Sequence, residues 1–212
     1  LRKKYISDPF DPASLQNCDQ FTTLFTAKSY PSDELENTEK LRNFHNEEKL
    51  KDLLLALNAI KKENKTHVPL LLKVSPDIKD NHVEEITNLA IANDISAIIL
   101  TNTTIKHREN LKNEIKKEAG GLSGKPLQEL STNMIKKFYK QLNGKIPIIG
   151  VGGINSGKSA YEKIIAGASL LQLYTGFVYR GPSSAKYIKK ELIQILKAEG
   201  IKNIKDAVGI GL

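Results

Sequence analysis

Four short apolar runs, VPLLLKV (68–74), SAIILT (96–101), PIIGV (147–151) and ASLLQLY (168–174), constrain this chain more than anything else in it. A strand wet on one face alternates apolar and polar residues. Runs with little or no alternation belong to strands covered on both faces, the habit of parallel sheets. Between the runs the apolar residues recur at helical spacing. Leu50, Leu53, Leu54, Leu57 and Ile60 follow a cap at Asn46. Val83, Ile86, Leu89 and Ala90 mark a second helix, and Leu130, Met134, Ile135 and Tyr139 a third that ends near Gly144. Residues 158–166 and 185–198 read as two more. Strand and helix thus alternate four times with no hairpin signal between strands, which makes the fold α/β. Either a doubly wound parallel sheet or a (β/α) barrel satisfies that pattern, and four strands are a thin sheet or half a barrel.

Residues 1–36 lack this rhythm. Pro9, Pro12 and Pro31 stand among scattered aromatics with no sustained period, and the segment reads as irregular. The expected division is therefore an irregular segment over 1–36 and an α/β unit over 37–212. The sequence of 212 residues opens on Leu1 and holds a single Met, Met134, so it reads as a piece of something longer. Charged residues at 26% and hydrophobic ones at 40% suit a globular chain. No run approaches the ~18 apolar residues of a membrane span.

The chemistry-bearing residues collect where the strands end. Lys73 and Ser75-Pro76-Asp77 follow the first, and Asn102, Thr103 and Thr104 the second, ahead of a loop with Gly120, Gly121, Ser123 and Gly124. The third strand ends in Gly150, Gly152 and Gly153, the fourth in Tyr174, Thr175 and Gly176. Ligands of parallel α/β folds bind at the carboxyl ends of the strands, where loops and helix N-termini converge. VGGINSGKSA (151–160) and YTGFVYRGP (174–182) are consecutive glycine-bearing turns of the kind that cradle phosphate, although glycines also make turns with no ligand. GINSGKSA lacks the spacing of a Walker loop. Lys73 closes an apolar strand, where a cation can neutralise electron-rich atoms of a cofactor ring or simply extend its stem to solvent. Asn102 and Thr103 suit a small polar ligand or a capped turn.

Other classes find little support. His45, His67, His82 and His107 show no metal-ligand spacing, and one cysteine, Cys18, makes no disulfide framework. The net charge of +8 comes from 32 Lys and Arg against 24 Asp and Glu, with the lysines spread over helix ends and loops. Stretches such as KKENK (61–65) carry no interleaved aromatics, so solvated faces account for them better than a nucleic-acid groove.

Taken together, LLLKVSPD (70–77), TNTT (101–104), GGLSGKPL (120–127), PIIGVGGI (147–154), EKIIAGASLLQLYT (162–175) and DAVG (206–209) resemble the quinone-dependent dihydroorotate dehydrogenases in order and spacing, from about Asn37 to Gly209. The resemblance implies a TIM-type (β/α)8 barrel of which this chain represents the C-terminal four βα units. It also implies FMN as cofactor, dihydroorotate and orotate as substrate and product, and ubiquinone as acceptor. Carried over by position, Lys73, Thr101, Gly124, Gly153, Tyr174 and Thr175 would bind FMN, the last three around its phosphate. Asn37, Asn102 and Thr103 would hold the substrate. The GKPL and QLYT forms resemble eukaryotic members most, which implies the mitochondrial inner membrane, with a bacterial cytoplasmic membrane as the alternative. Membrane association in the family runs through an N-terminal region that has no counterpart in these residues.

One departure stands out. The family's catalytic loop reads N-x-S-S-P-N-T, with its second Ser as the base. Here Ser32-Asp33-Glu34-Leu35-Glu36 precedes Asn37-Thr38, which puts Leu35 at the position of the base. The expectation is a member of the family that is inactive by itself. The alternative is a non-catalytic half-barrel that binds a phosphate ligand or pairs with another chain.

Overall fold

The structure, a computed structural model, describes residues 47–65, 67–106, 108, 109, 111 and 120–212. The expected irregular segment over 1–36, the Asn46 cap, Leu35, Asn37, Thr38, His45, His107 and Cys18 lie outside the described residues. Four strands form one parallel sheet in chain order: β1 (Leu71–Val74), β2 (Ala97–Leu100), β3 (Ile148–Val151) and β4 (Leu170–Gln172). Each is shorter than its apolar run. The flanking residues still carry the ladder outward, as when the Ile98 amide donates to the Pro147 carbonyl at 3.1 Å.

Helices fill the crossovers. α1 (Glu47–Glu63) precedes β1, α2 (Asn81–Ala92) joins β1 to β2, α3 (Gln128–Leu142) joins β2 to β3, and α4 (Gly157–Ile165) joins β3 to β4. After β4 come a short helix α5 (Thr175–Arg180), the long α6 (Ser184–Ala198) and a 3₁₀ turn, Ile204–Ala207. The sequence pattern read Tyr174–Pro182 as a turn, because α5 buries none of its residues and so leaves no apolar period to detect.

Strand order and face decide between the two candidate architectures. A doubly wound sheet reverses its strand order and covers both faces with helices. Here the order is sequential, and Leu72, Val74, Ile98, Leu100 and Ile148 all face one core with Leu50 and Leu54 of α1, Val83, Ile86 and Ala90 of α2, and Met134, Ile135, Phe138 and Leu142 of α3. The opposite face carries Leu71, Ala97, Ile99 and Ile149, which pack on one another and on Val151 with no helix among them. A singly wound sheet with its helices outside is an arc of a (β/α) barrel.

Local chemistry fixes the helix ends. Ser156 caps α4 in a reciprocal box with Ser159. Asn143, left-handed at φ 46°, ends α3 as the Gly144 signal predicted. Ile60, expected in the core, is exposed, whereas Phe138 is fully buried on the stripe of Met134 and Ile135. DAVG also has a place in the packing. The Gly209 and Gly211 amides donate to the last carbonyls of α4, Ile164 and Ile165, and a Cβ at Gly209 would lie 2.5 Å from the Tyr139 ring.

Candidate functional site

The carboxyl end of the sheet brings together three of the glycine-bearing segments. Ser123 Oγ and Thr175 Oγ1 are 2.8 Å apart, which ties the loop after β2 to the start of α5. A Cβ at Gly124, whose φ is 74°, would lie 3.0 Å from the Thr175 methyl. The turn after β3 presses on the first residues of α3: a Cβ on Gly153, at φ 72°, would stand 2.4 Å from the Gln128 Cβ and 2.8 Å from its backbone nitrogen. A Cβ on Gly176 would meet the Ile154 carbonyl just as closely, at 2.3 Å. Only glycine lets these backbones approach so nearly while holding left-handed angles at Gly124 and Gly153. Arg180 crosses from the end of α5 to donate to the Asn155 carbonyl. The last two loops are thereby joined at both ends of α5.

Two helix N-termini adjoin these turns, those of α4 and α5. The N-terminus of α4 is already satisfied. The Gly157 amide donates to the Glu191 carboxylate at 2.6 Å and the Ser159 amide to Ser156 Oγ at 3.2 Å. A carboxylate on the first amide of α4 competes with any anion there.

Thr101, just past β2, is buried, and its hydroxyl has no hydrogen-bond partner among the described residues. An orphaned polar atom inside a protein costs on the order of 1–3 kcal/mol, and the Thr87 and Ser184 hydroxyls share that condition. Asn102 and Thr103 follow it and are exposed. The Asn102 side chain accepts from the Thr103 amide at 2.9 Å, and the Asn102 amide donates back to Val74. Asp77 holds this loop from β1. Its carboxylate accepts from the Thr104 hydroxyl at 2.5 Å and from the Ile105 amide at 2.9 Å. Thr104 in turn bridges Leu122, so a single carboxylate steadies both the TNTT and GGLSG segments. Lys73 is half-buried opposite Ile99, on the sheet face that carries Leu71 and Ile149. Tyr174 is exposed, with its backbone leading into α5.

The structure therefore gathers Thr101, Asn102, Thr103, Gly124, Gly153, Tyr174 and Thr175 around one end of the sheet, with Lys73 on its inner face. Among the described residues, no group of His, Cys, Asp and Glu could hold a metal ion, and no helix is long and apolar enough to cross a membrane.

One residue escaped the sequence reading. Lys163, in the last turn of α4, is fully buried. Its ammonium donates to the Gln128 carbonyl at 3.2 Å, Ser131 Oγ at 3.1 Å and Thr132 Oγ1 at 3.0 Å. Burial pushes its pKa down to about 8, against the neighbouring Glu162, which raises it. The available signal was a lysine inside EKIIAGA, between positions that must face the core.

Comparison with known proteins gives this geometry a family. The model for dihydroorotate dehydrogenase matches residues 36–196. The quinone-type mitochondrial dihydroorotate dehydrogenase of Arabidopsis thaliana is 43% identical over 178 residues, covering 82% of this chain and 39% of that protein. The quinone-type enzyme of Nostoc punctiforme is 42% identical over 182 residues, covering 82% and 47%. In space, the ligand-free DHODH of Eimeria tenella superposes with a TM-score of 0.76 at 36% identity, over 82% of this chain and 53% of that one. The chain spans about half the length of the curated relatives it matches. On the family match and the shared half-barrel together, the chain belongs to the dihydroorotate dehydrogenase family.

Proposed function

We propose that this chain binds FMN at the carboxyl end of its sheet and supplies part of a site that oxidises dihydroorotate to orotate, with ubiquinone as final acceptor. The observation that carries the reading is the meeting of Gly124, Gly153 and Thr175 where the loops after the last two strands adjoin a short helix. That is where many (β/α) barrels hold phosphate. The residues suit the group: close-packed glycine backbone, the amides at the start of α5, and a buried Thr101 hydroxyl lacking a partner among the described residues. The relatives' names, dihydroorotate dehydrogenase (quinone), support the substrate and the acceptor.

FMN, when bound, accepts hydride from the substrate. The rest of the work falls to side chains of this chain. Lys73 places a cation on the inner sheet face, where it neutralises the electron-rich edge of the flavin. Tyr174 and Thr175 open the phosphate turn, and Thr101 donates toward the cofactor. Asn102 and Thr103, exposed and anchored through Asp77 and Thr104, offer an amide and a hydroxyl to the substrate ring, and the resemblance assigns Asn37, outside the described residues, to the same substrate. Leu35 stands at the position of the base, and a leucine has no lone pair with which to take a proton. General-base help is worth about 10²–10⁴-fold, so these 212 residues by themselves bind flavin without turning over dihydroorotate. The mitochondrial names of the plant relatives support a mitochondrial location, which the resemblance narrows to the inner membrane, with a bacterial cytoplasmic membrane as the alternative.

The test is a fluorescence titration of the purified chain with FMN and with riboflavin, which lacks the phosphate. FMN should bind at least about tenfold more tightly, the worth of a charge-assisted contact. Equal affinity for the two removes the phosphate site, and rapid dihydroorotate-dependent reduction of a quinone analogue removes the claim of inactivity.

A further inference from the structure

We propose that Lys163 is a positioning residue for the glycine turn after β3, acting through Ser131 and the Gln128 peptide to hold Val151, Gly152 and Gly153 in their observed shape. The proposal rests on the reading of that turn as the phosphate contact, and its structural half stands apart from it.

The bonding is directional throughout. Thr132 Oγ1 donates to the Gln128 carbonyl at 2.8 Å and Ser131 Oγ donates to the Val151 carbonyl at 2.6 Å. Each hydroxyl spends its proton in one direction and keeps its lone pairs for the Lys163 ammonium. The three N–H groups of the ammonium then meet three acceptors, Gln128 O, Ser131 Oγ and Thr132 Oγ1. A lone buried cation is costly, and one with every proton placed is the form a protein tolerates.

The far end of this network is the candidate site. Val151 O, which accepts from Ser131, also accepts from the Thr101 amide at 3.0 Å. Gly152 follows, and a Cβ there would lie 3.0 Å from the Ser131 Cβ. Gly153 lies against Gln128, whose carbonyl Lys163 holds and whose side-chain amide donates to Glu162 at 2.7 Å. Lys163 and Glu162 are adjacent on α4, so two neighbouring side chains of one helix fix the first residue of the next helix inward. A core needing only bulk at this position would take leucine or methionine. The lysine instead ties α4 to the N-terminal turn of α3, and through it to the end of β3.

The test compares Lys163→Met, which keeps the length and apolar stem, with Ser131→Ala, which cuts the network one step nearer the turn and leaves two of the lysine's bonds in place. Amide hydrogen exchange on the flavin-free chain reads the structural half. Thr101 should lose protection by about tenfold or more in both variants, the worth of a hydrogen bond to a charged group, while Ile98 in the preceding strand keeps its rate. Flavin titration reads the functional half: FMN affinity should fall about tenfold and riboflavin affinity stay within about twofold. Unchanged Thr101 exchange and an unchanged FMN-to-riboflavin ratio in Ser131→Ala would overturn the proposal, including where Lys163→Met fails to fold. If the unaltered chain binds neither flavin, the FMN reading fails, and the exchange rates still decide whether Lys163 sets the turn.

Discussion

Replacing Gly153 with alanine measures how tightly the turn after β3 is built. Two costs add. Alanine at φ 72° pays about 1 kcal/mol for a left-handed backbone that glycine adopts freely. Its methyl would also lie 2.4 Å from the Gln128 Cβ, 2.6 Å from its Cα and 2.8 Å from its nitrogen. The obstacle is backbone at the start of α3, not the end of a flexible side chain. Forcing it aside resembles overpacking a core, about 1–3 kcal/mol. The expected total is therefore about 2–4 kcal/mol. Gly144→Ala supplies the control, because Gly144 has a similar φ of 75° and nothing within 4 Å of the added methyl. It should cost about 1 kcal/mol, from backbone strain alone. Urea unfolding of both variants, followed by circular dichroism with m-values checked for equality, gives the difference directly. Equal losses in the two variants would refute the claim that Gly153 is required by its close approach to α3.

Three further outcomes follow from the same structure. Thr101→Val keeps the shape and deletes the unpartnered hydroxyl, so the flavin-free chain should gain about 1 kcal/mol by thermal or urea unfolding while its FMN affinity falls. A loss of stability would show that the hydroxyl is already satisfied. Glu191→Ala removes the carboxylate on the Gly157 amide and should cost about 1 kcal/mol, or roughly 3 °C in Tm. No change in the melt would mean that Ser156 suffices as the cap. Lys163 gives stability a pH signature: its folded pKa of about 8 lies below the ordinary 10.5, so between these values the unfolded chain holds a proton that the folded chain has released. Stability should therefore be flat in this respect below pH 8 and rise above it, by about 2 kcal/mol at pH 9.5 relative to Lys163→Met. A falling difference over that range would reverse the sign and show that the ammonium is favoured by its three acceptors.

β1, β2 and β3 were legible because they are largely buried on both faces and so contain little but apolar residues. β4, with Leu170 exposed, was legible from its apolar run alone. The barrel itself was legible only through resemblance. Periodicity leaves a doubly wound sheet and a barrel arc equally open, and the sequential strand order with helices on one face decides it. Glycine pairs marked the close-packed turns at the carboxyl end of the sheet, since close backbone approach leaves its trace as missing side chains. The short helix α5 left none, because it buries nothing, and so its segment read as a turn. Lys163 was hidden for the opposite reason. A lysine between apolar residues looks like a surface position until the acceptors on α3, some 31 to 35 residues earlier in the chain, come into contact with it.

The central claim, that the carboxyl-end glycine turns hold the phosphate of FMN, is tested most directly by mapping amide shifts of the isotope-labelled chain as FMN is added. The account predicts the largest changes at Gly124, Gly153, Thr175 and Gly176, with small ones at the same amides when riboflavin replaces FMN. Shifts centred on the N-terminus of α4, at Gly157 and Lys158, or equal shifts with the two flavins, would contradict it.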